Sequence, residues 1–92
     1  MTHFKIFAGS SHQAFAQEVC DRLGEPLSPI TIKTFSCGER YIKFDKSFRG
    51  QEIFLIQTCR TGHMNDDLME LFMMIDAAKQ SFAERIHVIM PY

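Results

Sequence analysis

The segment Glu52-Ile-Phe-Leu-Ile-Gln-Thr58 constrains the fold more than any other stretch of this chain. Its unbroken apolar run is expected of a strand covered on both faces, because a strand with one wet face alternates instead. Such a strand sits inside a sheet and needs helices above and below it. The rest of the chain should therefore supply flanking strands and two apolar-striped helices.

Both helices can be read. Residues 4–8 form a strand-like run closed by Gly9-Ser10-Ser11. Ser10 and Gln13 have the spacing of a capping box, which predicts a helix start here. Phe15, Val19 and Leu23 recur every four residues as its apolar stripe, and Gly24 suits the left-handed residue that ends it. A second helix is expected over about 65–81, with Asn65 as N-cap. Asp66, Asp67 and Glu70 then place negative charge near its positive end. Leu68, Leu71, Phe72, Ile75 and Phe82 form one stripe on that helix, and Met69, Met73, Met74 and Ala77 a second. A helix apolar around most of its girth is buried deeply or packed against another chain.

Residues 30–35 and 40–45 alternate around Ser36-Cys-Gly-Glu39, the pattern of an antiparallel hairpin, and residues 86–90 give a last apolar strand. The order β-α-β-β-β-α-β predicts an α/β fold, a mainly parallel sheet flanked by helices with a projecting β-hairpin. No linker or repeat interrupts residues 1–92, so a single domain is expected. In open α/β sheets ligands bind beyond the carboxyl ends of the strands. The sequence stops as its last strand reaches that edge, and it is expected to be truncated.

Composition narrows the function classes. The 92 residues carry a net charge of −1 with both signs interspersed, which argues against nucleic-acid binding. No apolar run nears the roughly 18 residues of a membrane span, and the amino terminus lacks the build of a signal peptide. Cys20, Cys37 and Cys59 make neither a zinc pattern nor an even disulfide set, so a reducing cytoplasm is expected. His3, His12, His63 and His87 show no metal-ligand spacing.

Several stretches together resemble the amino-terminal domain of ribose-phosphate pyrophosphokinases, the PRPP synthetases. They are Lys5-Ile-Phe-Ala-Gly-Ser-Ser-His12, Phe35-Ser-Cys-Gly-Glu39, Ser47-Phe-Arg-Gly50 with Ile53-Phe-Leu-Ile-Gln57, Asn65-Asp-Asp-Leu-Met-Glu-Leu71, Met74-Ile-Asp-Ala77 and Val88-Ile-Met-Pro-Tyr92. The resemblance covers essentially the whole chain, in order. It implies a phosphoribosyltransferase-like half domain of an enzyme for nucleotide biosynthesis. That enzyme transfers the pyrophosphoryl group of ATP to ribose 5-phosphate, with magnesium on the reacting phosphates and a homo-oligomeric assembly from dimer to hexamer. The family's catalytic and metal-binding residues lie in segments that this sequence does not contain, so the chain alone is expected to be inactive.

The resemblance also implies roles for particular residues. Phe35, Cys37, Gly38 and Glu39 match the loop that holds the adenine of ATP across a dimer contact. An aromatic ring can stack on a base, and a carboxylate can accept from its exocyclic amine. The family carries Asp where Cys37 stands, so one polar contact to adenine is expected to weaken. The competing reading makes this an ordinary hairpin loop, with Phe35 tucked into the core. Ser47 and Arg49 match a regulatory phosphate site, against the alternative of a solvated turn. Non-catalytic alternatives are a regulatory subunit that assembles with true synthetases, or a stand-alone binding module.

Overall fold

The computed structural model describes residues 4–37, 40–45 and 48–91. Seven elements follow one another: β1 (Phe4–Ala8), α1 (Gln13–Leu23), β2 (Ile30–Thr34), β3 (Arg40–Phe44), β4 (Glu52–Ile56), α2 (Met64–Gln80) and β5 (Arg85–Ile89). This is the expected order, and the expected pairing holds. Strands β1, β4 and β5 form a parallel sheet in the order β1-β4-β5, while β2 and β3 form an antiparallel hairpin.

Strand β4 occupies the centre of the sheet, as its apolar run requires. Its register sets Ile6 opposite Phe54 and Ala8 opposite Ile56 on one face, and Phe7 opposite Leu55 on the other. The first face packs against α1, where Ile6, Ala8, Ala16, Cys20 and Ile56 form one core. The second is covered by α2 and the hairpin, and its core joins Phe7, Phe48, Ile53, Leu55, Leu71, Met74 and Ala78. Ile30, Ile42 and Phe44 of the hairpin pack on this second core. Phe7, Phe44 and Phe48 meet edge-to-face with centroids 4.7–5.5 Å apart, the arrangement that the ring quadrupole favours.

The helices correct the sequence reading in detail. Helix α1 starts at Gln13 with His12 as N-cap and no capping side chain, because the Ser10 hydroxyl is bonded elsewhere. Gly24 does end it in the left-handed conformation, at φ 73°. Its buried residues are Ala16 and Cys20, with Val19 beside them, whereas Phe15 and Leu23 face outward. Small side chains form the contact with the sheet, and the larger apolar pair lies outward.

Helix α2 begins one residue before Asn65, with His63 as N-cap. Its buried face runs Asp67, Glu70, Leu71, Met74, Ala78, a helical stripe that crosses both expected stripes. Met69, Phe72 and Phe82 are exposed, and Ile75 and Met73 are half-buried. Phe82 takes a left-handed φ of 61°, just past the end of α2. No helix among the described residues is long and apolar enough to cross a membrane.

Candidate functional site

The polar groups of the interior gather at the carboxyl ends of β1 and β4, two of them supplied by α2. Ser11, Gln57, Thr58, Asp67 and Glu70 are all buried. Burying such groups is tolerable only when each finds partners, and here each does. Gly9 makes the assembly possible. Its amide donates to the Ile56 carbonyl over 2.9 Å, and a Cβ at this position would run into the Gln57 amide and lie 2.8 Å from Glu70 Oε2.

Glu70 is the hub. Its Oε1 accepts from Ser10 Oγ at 2.8 Å and from Arg40 Nη1 at 2.7 Å. Its Oε2 accepts from the Ser10 amide at 2.8 Å and from Gln57 Nε2 at 2.7 Å. Gln57 is thereby fixed in orientation, and its Oε1 accepts from Ser11 Oγ at 2.6 Å. Ser11 Oγ in turn accepts from the Thr58 amide at 2.9 Å, and Thr58 Oγ1 lies 2.7 Å from His12 Nδ1.

Asp67 anchors the loop after β4. It accepts from the amide, Nε and Nη2 of Arg60, at 2.8, 2.9 and 2.7 Å. The Arg60 side-chain bonds hold the Asp67 carboxyl below the ordinary carboxylate range, although burial pushes the other way. The same bonds raise the Arg60 guanidinium.

The expectation that Asp66, Asp67 and Glu70 merely complement a helix start is corrected for two of them. Asp67 and Glu70 point inward and are consumed by specific donors, while Asp66 stays exposed. The residue types were visible in the sequence, and their phase was visible too. Positions 67, 70, 71, 74 and 78 share one helical face. The signal missed was that two acids lay on that face beside Leu71 and Met74.

The residues singled out by the family resemblance do not converge on this hub. Phe35 and Cys37 are exposed on the loop between β2 and β3, so Phe35 is not tucked into the core. Gly38, Glu39 and Ser47 lie outside the described residues. Arg49 is exposed, and its guanidinium carbon stands 4.7 Å above the Phe82 ring. His87 is half-buried in β5, stacked on Phe54 at 4.5 Å with Nε2 3.1 Å from Glu52.

Among the described residues no three His, Cys, Asp or Glu side chains gather as a metal site. Both buried carboxylates already face arginine and amide donors, so the hub does not fit magnesium. As a chemical arrangement it is a rigid polar brace that fixes the turn after β1, the loop after β4 and the start of β3.

The sequence profile described as the N-terminal domain of ribose phosphate pyrophosphokinase matches residues 4–92. A ribose-phosphate pyrophosphokinase of Helicobacter pylori is 50% identical over all of this chain, which spans 29% of that protein. The Wolinella succinogenes protein of that name is 46% identical, with the same two coverages. A chloroplastic ribose-phosphate pyrophosphokinase of Oryza sativa is 42% identical over 99% of the chain and 23% of its own length. The crystal structure of phosphoribosylpyrophosphate synthetase from Mycobacterium smegmatis superposes with a TM-score of 0.93 at 35% identity, over 99% of this chain and 30% of that one. Sequence and fold agree, and the chain belongs to the family of ribose-phosphate pyrophosphokinase N-terminal domains.

Proposed function

We propose that this chain is the amino-terminal part of a ribose-phosphate diphosphokinase, which transfers the pyrophosphoryl group of ATP to ribose 5-phosphate to make PRPP. The observation that carries this reading is the 50% identity to the Helicobacter pylori enzyme along the entire chain. The chain spans under a third of these relatives. Its contribution is to present the 35–39 loop, with Phe35, Cys37, Gly38 and Glu39, to the adenine of ATP.

The exposure of Phe35 and Cys37 supports that role, since a ring and a thiol held in the open are free to meet a base from another subunit. Ser47 and Arg49 take a regulatory phosphate, for which a guanidinium is well suited. Magnesium accompanies the reacting phosphates on the remainder of the enzyme, which works as a cytoplasmic homo-oligomer.

Cys37 favours a second reading. A thiol is a weak hydrogen-bonding partner, as a non-catalytic regulatory subunit would tolerate.

A hybrid enzyme separates the two. The corresponding segment of the Helicobacter pylori relative is replaced by this chain, and PRPP formation from ATP and ribose 5-phosphate is measured. A turnover within about tenfold of the parent is expected, a barrier change near 1.4 kcal/mol. A hybrid that assembles but makes no PRPP would leave the regulatory reading standing. The isolated chain in the same assay should give no product.

A further inference from the structure

We propose that Glu70 is a positioning residue for the segment Phe35–Cys37 of the loop after β2, acting through Arg40. The proposal rests on the reading of that loop as the adenine contact. The hairpin ends at the Thr34–Arg40 rung, so whatever fixes Arg40 fixes the base of the loop. Beyond that rung Phe35, Ser36 and Cys37 are exposed and receive little support from the core.

Arg40 Nη1 lies 2.7 Å from Glu70 Oε1, with the glutamate 1% exposed and the arginine 21%. Glu70 has no freedom to follow a drifting arginine. Its two oxygens are also held by the amide and hydroxyl of Ser10 and by Gln57 Nε2. A charged pair with one partner immobilised and both largely removed from water is a strong orientational restraint.

The same carboxylate therefore joins two places with different tasks. One is the turn after β1, at the sheet edge where α/β proteins bind ligands. The other is the root of the β2–β3 loop, at the Thr34–Arg40 rung. A helix-packing role alone would be served by an apolar residue, as at Leu71 and Met74. A carboxylate here is explained by its orienting Arg40 and Ser10 together.

Two measurements test the proposal. In the chain with Cys59→Ser, Cys37 is the exposed thiol and Cys20 is buried, so a nitroxide attached to Cys37 reports loop motion. Arg40→Leu and Glu70→Gln should each sharpen its spectrum while the circular dichroism stays unchanged, and Arg40→Lys should restore much of the restraint. An unchanged nitroxide spectrum in Arg40→Leu would overturn the positioning role, whatever ATP does. Should Glu70→Gln fail to fold, Arg40→Leu alone decides, since that side chain meets solvent.

In the hybrid enzyme, unlabelled Arg40→Leu should raise KM for ATP by about tenfold, with kcat and the KM for ribose 5-phosphate nearly unchanged. A loosened loop with an unmoved KM for ATP would overturn the adenine role of the loop and leave only the mechanical link. The two failures are thus distinguishable.

Discussion

At the scale of single residues, the turn after β1 depends on what is missing from Gly9. The space that a Cβ would need is filled by the Gln57 amide, and Glu70 Oε2 lies behind it. Gly9→Ala should cost about 1–3 kcal/mol, the range for inserting a methyl into a packed interior, and a urea titration reads it. A loss below the error of the titration would mean that Gln57 can move and that the brace is softer than described.

Asp67 gives a pH signature. Its carboxyl is held below the unfolded value near 3.8, chiefly by hydrogen bonds from the Arg60 side chain. A depressed carboxyl adds stability above its unfolded pKa, and that stability is lost as pH falls through the folded value. Asp67→Asn should therefore be less stable than the parent at pH 7, with the gap closing below about pH 4. Urea midpoints of both proteins from pH 7 to pH 3 check this, and a gap that widens on acidification would contradict it. Among the cysteines, burial raises the Cys20 thiol further from its reactive form.

At the scale of elements, α2 separates apolar residues that look equivalent in the sequence. Phe72 and Met74 stand two positions apart, yet one is 54% exposed and the other fully buried. Met74→Ala should cost about 2–5 kcal/mol, because it removes transferred surface and leaves a cavity. Phe72→Ser should stay within about 0.5 kcal/mol in the isolated chain. Comparable losses at both positions, in the same denaturation series, would show that the phase of α2 differs from the one described. The contrast with α1 is instructive. There Phe15 and Leu23 have the right spacing for a core stripe, but the contact is made by Ala16 and Cys20. Periodicity gives the face of a helix only to within a residue. Side-chain size then decides how near the sheet can come.

At the scale of the molecule, the hairpin is attached by aromatic packing. Phe44 at the end of β3 and Phe48 before β4 close around Phe7 of the sheet. Phe48→Ala should cost about 3–5 kcal/mol. Hydrogen exchange would show where. Amides of β2 and β3 should lose protection first, while those of β4, bonded on both sides, remain slowest. Equal loosening of β4 would mean that the hairpin is not a separable unit. On the opposite side of β4, strand β5 pairs along one edge, and Val88, Ile89 and Met90 are exposed there.

The sequence by itself determined the element order, the central place of β4 and the hairpin, because strand alternation, an apolar run and Gly24 act locally. It also contained the stretches that resemble the family. It placed the Phe35–Cys37 segment between two alternating strands, where a loop had to be.

Only the tertiary structure decided what the polar residues do. The spacing to Gln13 predicts a capping role for Ser10, yet its hydroxyl turns to a carboxylate 60 positions away. By spacing alone, Asp67 and Glu70 place negative charge at a helix start. They became interior anchors because Arg60, Gln57 and Arg40 arrived from other elements to satisfy them. A local rule cannot see such partners. A buried charge is acceptable only where distant donors converge, and that convergence is a property of the folded chain.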